Sequence, residues 1–286
     1  MLRPRSFKAF FSTYKPSMRS SKSSRLSLFV KEFLIFVVKQ ARACVFAGSF
    51  FILLFASNYL PLGLIHRYDF LFVSALLLQI ILYLMRIETK DEIKTIALFH
   101  LIGLCLELFK THPAIGGWSY PEPGFFKIAT VPLYSGFMYA AVGSYISQAW
   151  RIMHLRLTGS IRYLASALLA CAIYLNFFTN EFLPDIRWIL IPLVFVVFWK
   201  VWIEFIITER TYRMPISLSF LLIAFFIWIA ENISTYLGAW QYPHQGEAWS
   251  LVSFKIISSW YLLVIISFIL VAYLKHVKEA KRSTLH

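Results

Sequence analysis

Charge is scarce in this sequence: Asp, Glu, Lys and Arg supply 15% of 286 residues, against about a quarter in soluble domains. With 59% of residues hydrophobic and 28 phenylalanines, too little polar surface is left to solvate a globule, which excludes an ordinary soluble protein. Cysteine is nearly absent. The three present, Cys44, Cys105 and Cys171, lie inside apolar runs without disulfide or metal spacing and read as small buried hydrophobes. Acid is the scarcer sign, 14 Asp and Glu against 28 Lys and Arg for a net charge of +14. In a soluble chain that surplus points to nucleic acid. In a membrane chain it marks the cytoplasmic flanks of helices, and no nucleic-acid partner is expected.

Residues 1–27 contain no acid, are rich in Ser, Lys and Arg, and read as a mobile basic arm that contacts anionic lipid. Residues 28–276 form the integral membrane domain, and 277–286 a cytoplasmic tail. Eight apolar segments, roughly 43–62, 68–86, 93–111, 129–150, 161–179, 186–207, 215–235 and 250–274, are each long enough to cross a bilayer. Most basic residues fall in the N-terminal segment, the alternate connections (Arg86, Lys90, Lys94; Arg151, Arg156, Arg162; Arg210, Arg213) and the tail. Arg67, Lys110, Lys127 and Arg187 fall on the opposite side. The expected fold is an all-α polytopic bundle in the inner membrane with both termini cytoplasmic.

The halves of the chain share a pattern. Glu107 and Thr111 precede Gly117-Trp118-Ser119-Tyr120-Pro121, and Glu231 and Thr235 precede Gly238-Ala239-Trp240-Gln241-Tyr242-Pro243. E-x-x-x-T followed by G and W-x-Y-P at the ends of the third and seventh segments predicts two parallel four-helix pseudo-repeats. Each Glu lies about one turn inside the non-cytoplasmic boundary, with its Thr on the same helical face. An ionised carboxyl near a span's centre costs about 2.5–3.5 kcal/mol, so these acids must be protonated, paired or facing water. Glu107 and Glu231 are the candidate catalytic acids. Trp118, Tyr120, Trp240, Tyr242, Thr111 and Thr235 are candidate substrate contacts, the aromatics as a lid. The plainer alternative makes each Glu a packing hydrogen bond and the aromatics an interfacial belt.

Lys255 is either a counter-ion for these acids, and so a further substrate contact, or a snorkelling side chain. Lys200 and Glu204 are spaced as an i,i+4 pair on the sixth span. His100 shares the Glu107 face. His112 and His244 lie near the motifs but lack His-x-x-x-His spacing, and no metal is expected. Gly136, Ala140, Gly143 and Ser144 recur at three- and four-residue steps, the spacing that lets helices approach closely.

The run from Glu107 to Tyr145, with G-W-S-Y-P-E-P and V-P-L-Y-S-G-F-M-Y-A, followed by Trp150-Arg151 and Leu155-Arg156, resembles an uncharacterised bacterial multi-pass membrane family, that of domain of unknown function 817. That resemblance implies no activity or cofactor. Over a shorter stretch, the order Glu107, Trp118-Ser119-Tyr120, Pro132-Leu133 is similar to carotenoid-modifying membrane enzymes of the lycopene cyclase and hydratase kind, although no Pro-Leu follows Tyr242. This likeness implies an isoprenoid or other apolar lipid, protonated by a buried Glu under aromatic rings. A proton- or cation-coupled carrier of small solutes uses the same features, with two repeats rocking about a central site. A structural membrane protein uses them for packing.

Overall fold

The computed structural model describes residues 22–283, with side chains from 26 to 275. Most of the basic arm therefore lies outside the described residues. Helix α1 (Lys22–Ala43) is followed at a 67° bend by α2 (Val45–Ala56). Helices α3 (Arg67–Leu84) and α4 (Lys90–Lys110) follow, α4 opening with a capping box in which Thr89 and Glu92 satisfy each other's backbone N–H groups. A long loop and a two-stranded hairpin, β1 (Lys127–Ile128) with β2 (Val131–Pro132), lead through one 3-10 turn into α5 (Gly136–Ile152). Then come β3 (Arg156–Gly159), α6 (Tyr163–Thr179), α7 (Arg187–Val197), β4 (Val201–Ile206), β5 (Thr211–Pro215), α8 (Ile216–Tyr236) and α9 (Lys255–Ser283).

The molecule is mostly helical, but all-α needs correction. Strands β3, β4 and β5 form an antiparallel sheet in that order. It replaces the second half of the expected sixth span, 186–207. Val201-Trp202-Ile203-Glu204-Phe205-Ile206 alternates buried and half-buried side chains with a period of two, which a strand satisfies and a helix does not. Glu204 consequently stands in register with Arg156 and Arg213, while Lys200 is exposed in the preceding turn, so the i,i+4 pair does not exist. The first expected span, 43–62, is helical only to Ala56. Helix α9 continues to Ser283, into the segment read as the tail.

Among the described residues three helices are long and apolar enough to cross a membrane: Arg67–Leu84, Ile216–Tyr236 and Lys255–Lys275. The bent pair Leu26–Ala43 with Val45–Ala56 makes a fourth if taken as one span. Tyr163–Thr179 and Arg187–Val197 are apolar but shorter. The tightest packing joins α4 to α5, as the small-residue spacing predicts. A Cβ on Gly103 would lie 2.6 Å from the Tyr139 ring, and one on Gly136 2.6 Å from the His100 carbonyl oxygen. Cys105 and Cys171 are exposed and Cys44 only partly buried, contrary to the expected burial; outward-facing apolar thiols cost little against lipid. His100 packs against Phe137, ring centroids 4.3 Å apart and tilted at 50°, instead of reaching Glu107.

Candidate functional site

Both E-x-x-x-T motifs occupy the last turns of their helices, α4 and α8. In each, the Thr hydroxyl donates to the Glu carbonyl one turn back, at 2.8 Å for Thr111 and 2.9 Å for Thr235. These hydroxyls finish helices, and neither lines the cavity described below. After each helix the chain turns through Gly116 or Gly238, both at positive φ, into the W-x-Y segment.

The two W-x-Y segments then meet. Ser119 and Gln241 form an isolated antiparallel bridge, Ser119 N donating to Gln241 O at 2.9 Å and Gln241 N to Ser119 O at 3.0 Å. Antiparallel pairing sets Trp118 opposite Tyr242, and their rings pack edge to face at 6.2 Å. Arg67, at the start of α3, ties both loops down: its guanidinium donates to Leu237 O at 2.6 Å, to Gly238 O at 3.2 Å and to the Glu122 carboxylate at 2.6 Å. Asp69 accepts the Phe125 and Phe126 amides at 2.8 Å each, and Tyr134 donates to Ala239 O.

Beneath these loops the two glutamates differ. Glu107 is 1% exposed. Its Oε2 accepts from Trp118 Nε1 and Tyr120 OH, both at 2.7 Å, and its Oε1 accepts from Tyr139 OH at 3.0 Å. Glu231 is 7% exposed. Its Oε1 accepts from Tyr242 OH at 3.1 Å, and its Oε2 has no hydrogen-bond partner. Two aromatic bridges join the carboxyls: Trp118 against Tyr242, and Tyr139 against Trp260 at 5.9 Å, the Trp260 indole flanking Glu231. Burial first, and then the neighbouring Glu107 or Glu231, pushes the Tyr120 and Tyr242 phenols well above their usual range, so both remain O–H donors.

A cavity of about 960 Å³ opens below the lid. Glu107, Glu231, Trp118, Tyr139, Trp240, Tyr242 and Trp260 form one part of its wall; Phe36, Gln40, Gly48 and Phe205 line it toward the sheet. Tyr120 stands behind Glu107, buried, and does not line the cavity. Lys110 and Arg187 also line it, Lys110 bonded to Glu181 at 2.8 Å and Asn180 at 2.9 Å, Arg187 to Asp185 and to Ser259 at 2.8 Å.

Lys255 does not join the site: it is the exposed first residue of α9 and is not part of the cavity wall, so its role as counter-ion is corrected. His112 accepts from the Ala114 amide and His244 stacks on Tyr242. Among the described residues no group of three or more His, Cys, Asp or Glu side chains is arranged to hold a metal. Reading the sequence missed Tyr139, Trp260 and Arg67. Tyr139 lies in the G-F-M-Y-A stretch, where the small-residue pattern drew attention to packing; Arg67 was counted only for the side of the membrane it marks; Trp260 carried no signal.

Fold and site together define a helical membrane protein with paired carboxyls enclosed under two bridged aromatic loops. The chain belongs to the family described as protein of unknown function DUF817, whose model matches residues 32–268. It is 52% identical over 250 residues to the uncharacterized protein YoaT of Bacillus subtilis (strain 168), covering 87% of this chain and 94% of that relative. No solved structure matches it. Family and relative carry no stated activity, and the likeness to carotenoid-modifying enzymes rests on the quoted sequence motif alone.

Proposed function

We infer that the chain is a multi-pass inner-membrane protein that crosses the bilayer eight times, by α2 to α9, with both termini cytoplasmic, and that it acts on an isoprenoid or other apolar lipid held in the cavity. The eight-crossing reading is supported by the meeting of the α4–α5 and α8–α9 loops at one end, and by the sheet that gathers the α5–α6 and α7–α8 connections. The short helices α2 and α7 then cross with help from their flanking loops and from β4. Two pseudo-repeats are supported by the matched Glu–Thr helix ends and the mutual pairing of their loops. Cys introduced at Ser119 is labelled from outside the cell only; labelling from the cytoplasm alone overturns the orientation.

The observation that carries the functional reading is the free Oε2 of Glu231 in an aromatic-walled apolar cavity, beside a Glu107 whose oxygens already accept three hydrogen bonds. Glu231 is the proton donor and Glu107 part of the fixed frame. Its proton adds to one alkene carbon, the π pair becoming the new C–H bond. A carbocation faces the rings, and Glu231 is left a carboxylate. Return of a proton from a neighbouring carbon to that carboxylate forms a new double bond and regenerates the acid, so isomerisation or cyclisation needs no co-reactant. Apolar lipid extracts from cells with the gene, without it, and with Glu231→Gln test this. The expected result is a lipid species that changes on deletion and is not restored by Glu231→Gln; unchanged extracts overturn it. A carrier is the second reading, favoured by a cavity lined both by lid residues and by Phe205 of the sheet. Proton-coupled flux in vesicles that Glu231→Gln abolishes would select it.

A further inference from the structure

Among the other buried carboxyls, Glu92 is matched with Arg151 at 2.9 Å and Glu32 with Arg210 at 3.6 Å, while Asp69 accepts two backbone amides. Glu88 is matched instead with three neutral donors, Gln79, Ser144 and Gln148. Glu107 and Glu231 face one cavity, and among the described residues neither forms an ion pair with Lys, Arg or His. The cationic side chains in that wall, Lys110 and Arg187, are already held by Glu181 and Asp185. Between the two acids lie the faces and edges of Trp118, Tyr242, Tyr139 and Trp260. Aromatic rings around a buried acid attract a desolvated organic cation through the negative faces of their π systems. What the cavity wall lacks is a positive charge free of a carboxylate partner.

We propose that the cavity binds a lipophilic organic cation, its ammonium or phosphonium centre between Glu231 Oε2 and the four rings, and its apolar body along the wall toward Phe36 and Phe205. This rests on the reading that the cavity is the ligand site, not on proton donation to an alkene. The size suits such a molecule, since pockets for drug-sized ligands run to about 300–1,000 Å³. Gly48 of α2 lines the same wall with nothing within 4 Å of the Cβ it lacks, so room for the apolar body adjoins α2. Cations of this kind reach a bilayer protein either as lipid head groups or as free amphiphiles, and the chemistry recognised is the same.

The test uses the full-length protein in detergent and radiolabelled tetraphenylphosphonium in a scintillation-proximity assay. Saturable binding is expected, displaced by dodecyltrimethylammonium and not by uncharged dodecanol. Glu231→Gln lowers affinity at least tenfold while Glu231→Asp recovers part of it, both eluting as monodisperse protein. Gly48→Phe, which fills the wall without touching either carboxyl, abolishes binding. Absence of saturable binding, equal binding by Glu231→Gln, or equal displacement by dodecanol overturns the proposal. Displacement by lysophosphatidylethanolamine assigns the cation to a lipid head group, and its failure beside effective dodecyltrimethylammonium assigns it to a free amphiphile; either supports the charge requirement. Binding of a neutral isoprenoid without any cation binding overturns this inference and leaves the lipid reading standing. Cation binding with lipid extracts unchanged by deletion does the reverse.

Discussion

Replacing each glutamate in turn by methionine, which keeps the length of the side chain and removes its acceptors, separates the two acids by stability alone. In Glu107→Met three donors lose their partner: the Trp118 indole N–H, which can only donate, and the Tyr120 and Tyr139 hydroxyls. A buried donor left unpaired costs about 1–3 kcal/mol. Tyr120 is 5% exposed and takes the full cost, while Trp118 and Tyr139 are half-buried and take less. The sum is about 3–6 kcal/mol. Glu231→Met strands the half-buried Tyr242 hydroxyl, takes the carboxyl away from the flanking Trp260 indole, and removes an oxygen that forms no close hydrogen bond. Its net cost is about 1 kcal/mol or less. The comparison does not depend on which acid carries a proton, because both variants remove the group altogether. Unfolding followed by intrinsic fluorescence as sodium dodecyl sulfate is titrated into mixed micelles measures both. Losses equal within about 0.5 kcal/mol, or a larger loss for Glu231→Met, would falsify the assignment of Glu107 to the frame and Glu231 to the ligand.

Arg67→Lys cannot reproduce a planar fork that reaches both lid loops and Glu122, so a loss of about 2–4 kcal/mol is expected; a double-mutant cycle with Glu122→Gln checks it through a coupling of at least about 1 kcal/mol, and additive losses argue against the tie. Gly103→Ala sets a methyl 2.6 Å from the Tyr139 ring, and should cost about 1–3 kcal/mol and weaken ligand binding with it; wild-type stability by the same titration refutes so close an approach. Glu88, in the turn between α3 and α4, has its carboxyl pushed up by burial, opposed by hydrogen bonds from Ser144 and Gln79. A folded state that holds this proton more tightly than the unfolded chain loses stability as pH rises from the ordinary carboxylate range through the raised value. Glu88→Gln should flatten that part of the stability–pH curve, and an unchanged curve removes Glu88 as its source.

Membrane residence and the place of the candidate site were legible in composition and motif because both follow from local chemistry. An apolar stretch is apolar wherever it folds, and a Glu one turn from a helix end beside a W-x-Y-P turn has few places to go. The period of Val201 to Ile206 was legible too, yet it was overridden by its hydrophobic content; alternation outweighs total hydrophobicity where Arg156 and Arg213 wait on neighbouring strands. Lys255 misled for the opposite reason. Its position in sequence sets it near the lid end, but whether a side chain at a helix start turns inward depends on the neighbouring helices, and it is exposed.

By itself the sequence determined that this chain is a basic, aromatic-rich membrane protein carrying two copies of one acid-and-aromatic motif. Those facts lie in composition and short spacing, which transfer free energy and helix geometry read directly. Only the tertiary structure decided that the copies pair through Ser119 and Gln241, that Tyr139 and Trp260 complete the walls, and that two equivalent acids end unequal. Both oxygens of Glu107 are engaged and Glu231 keeps one free because the donor to Glu107 Oε1, Tyr139, comes from α5, which packs on α4 through Gly103 and Gly136. A hydrogen bond between residues 32 apart depends on that packing, and no local pattern contains it.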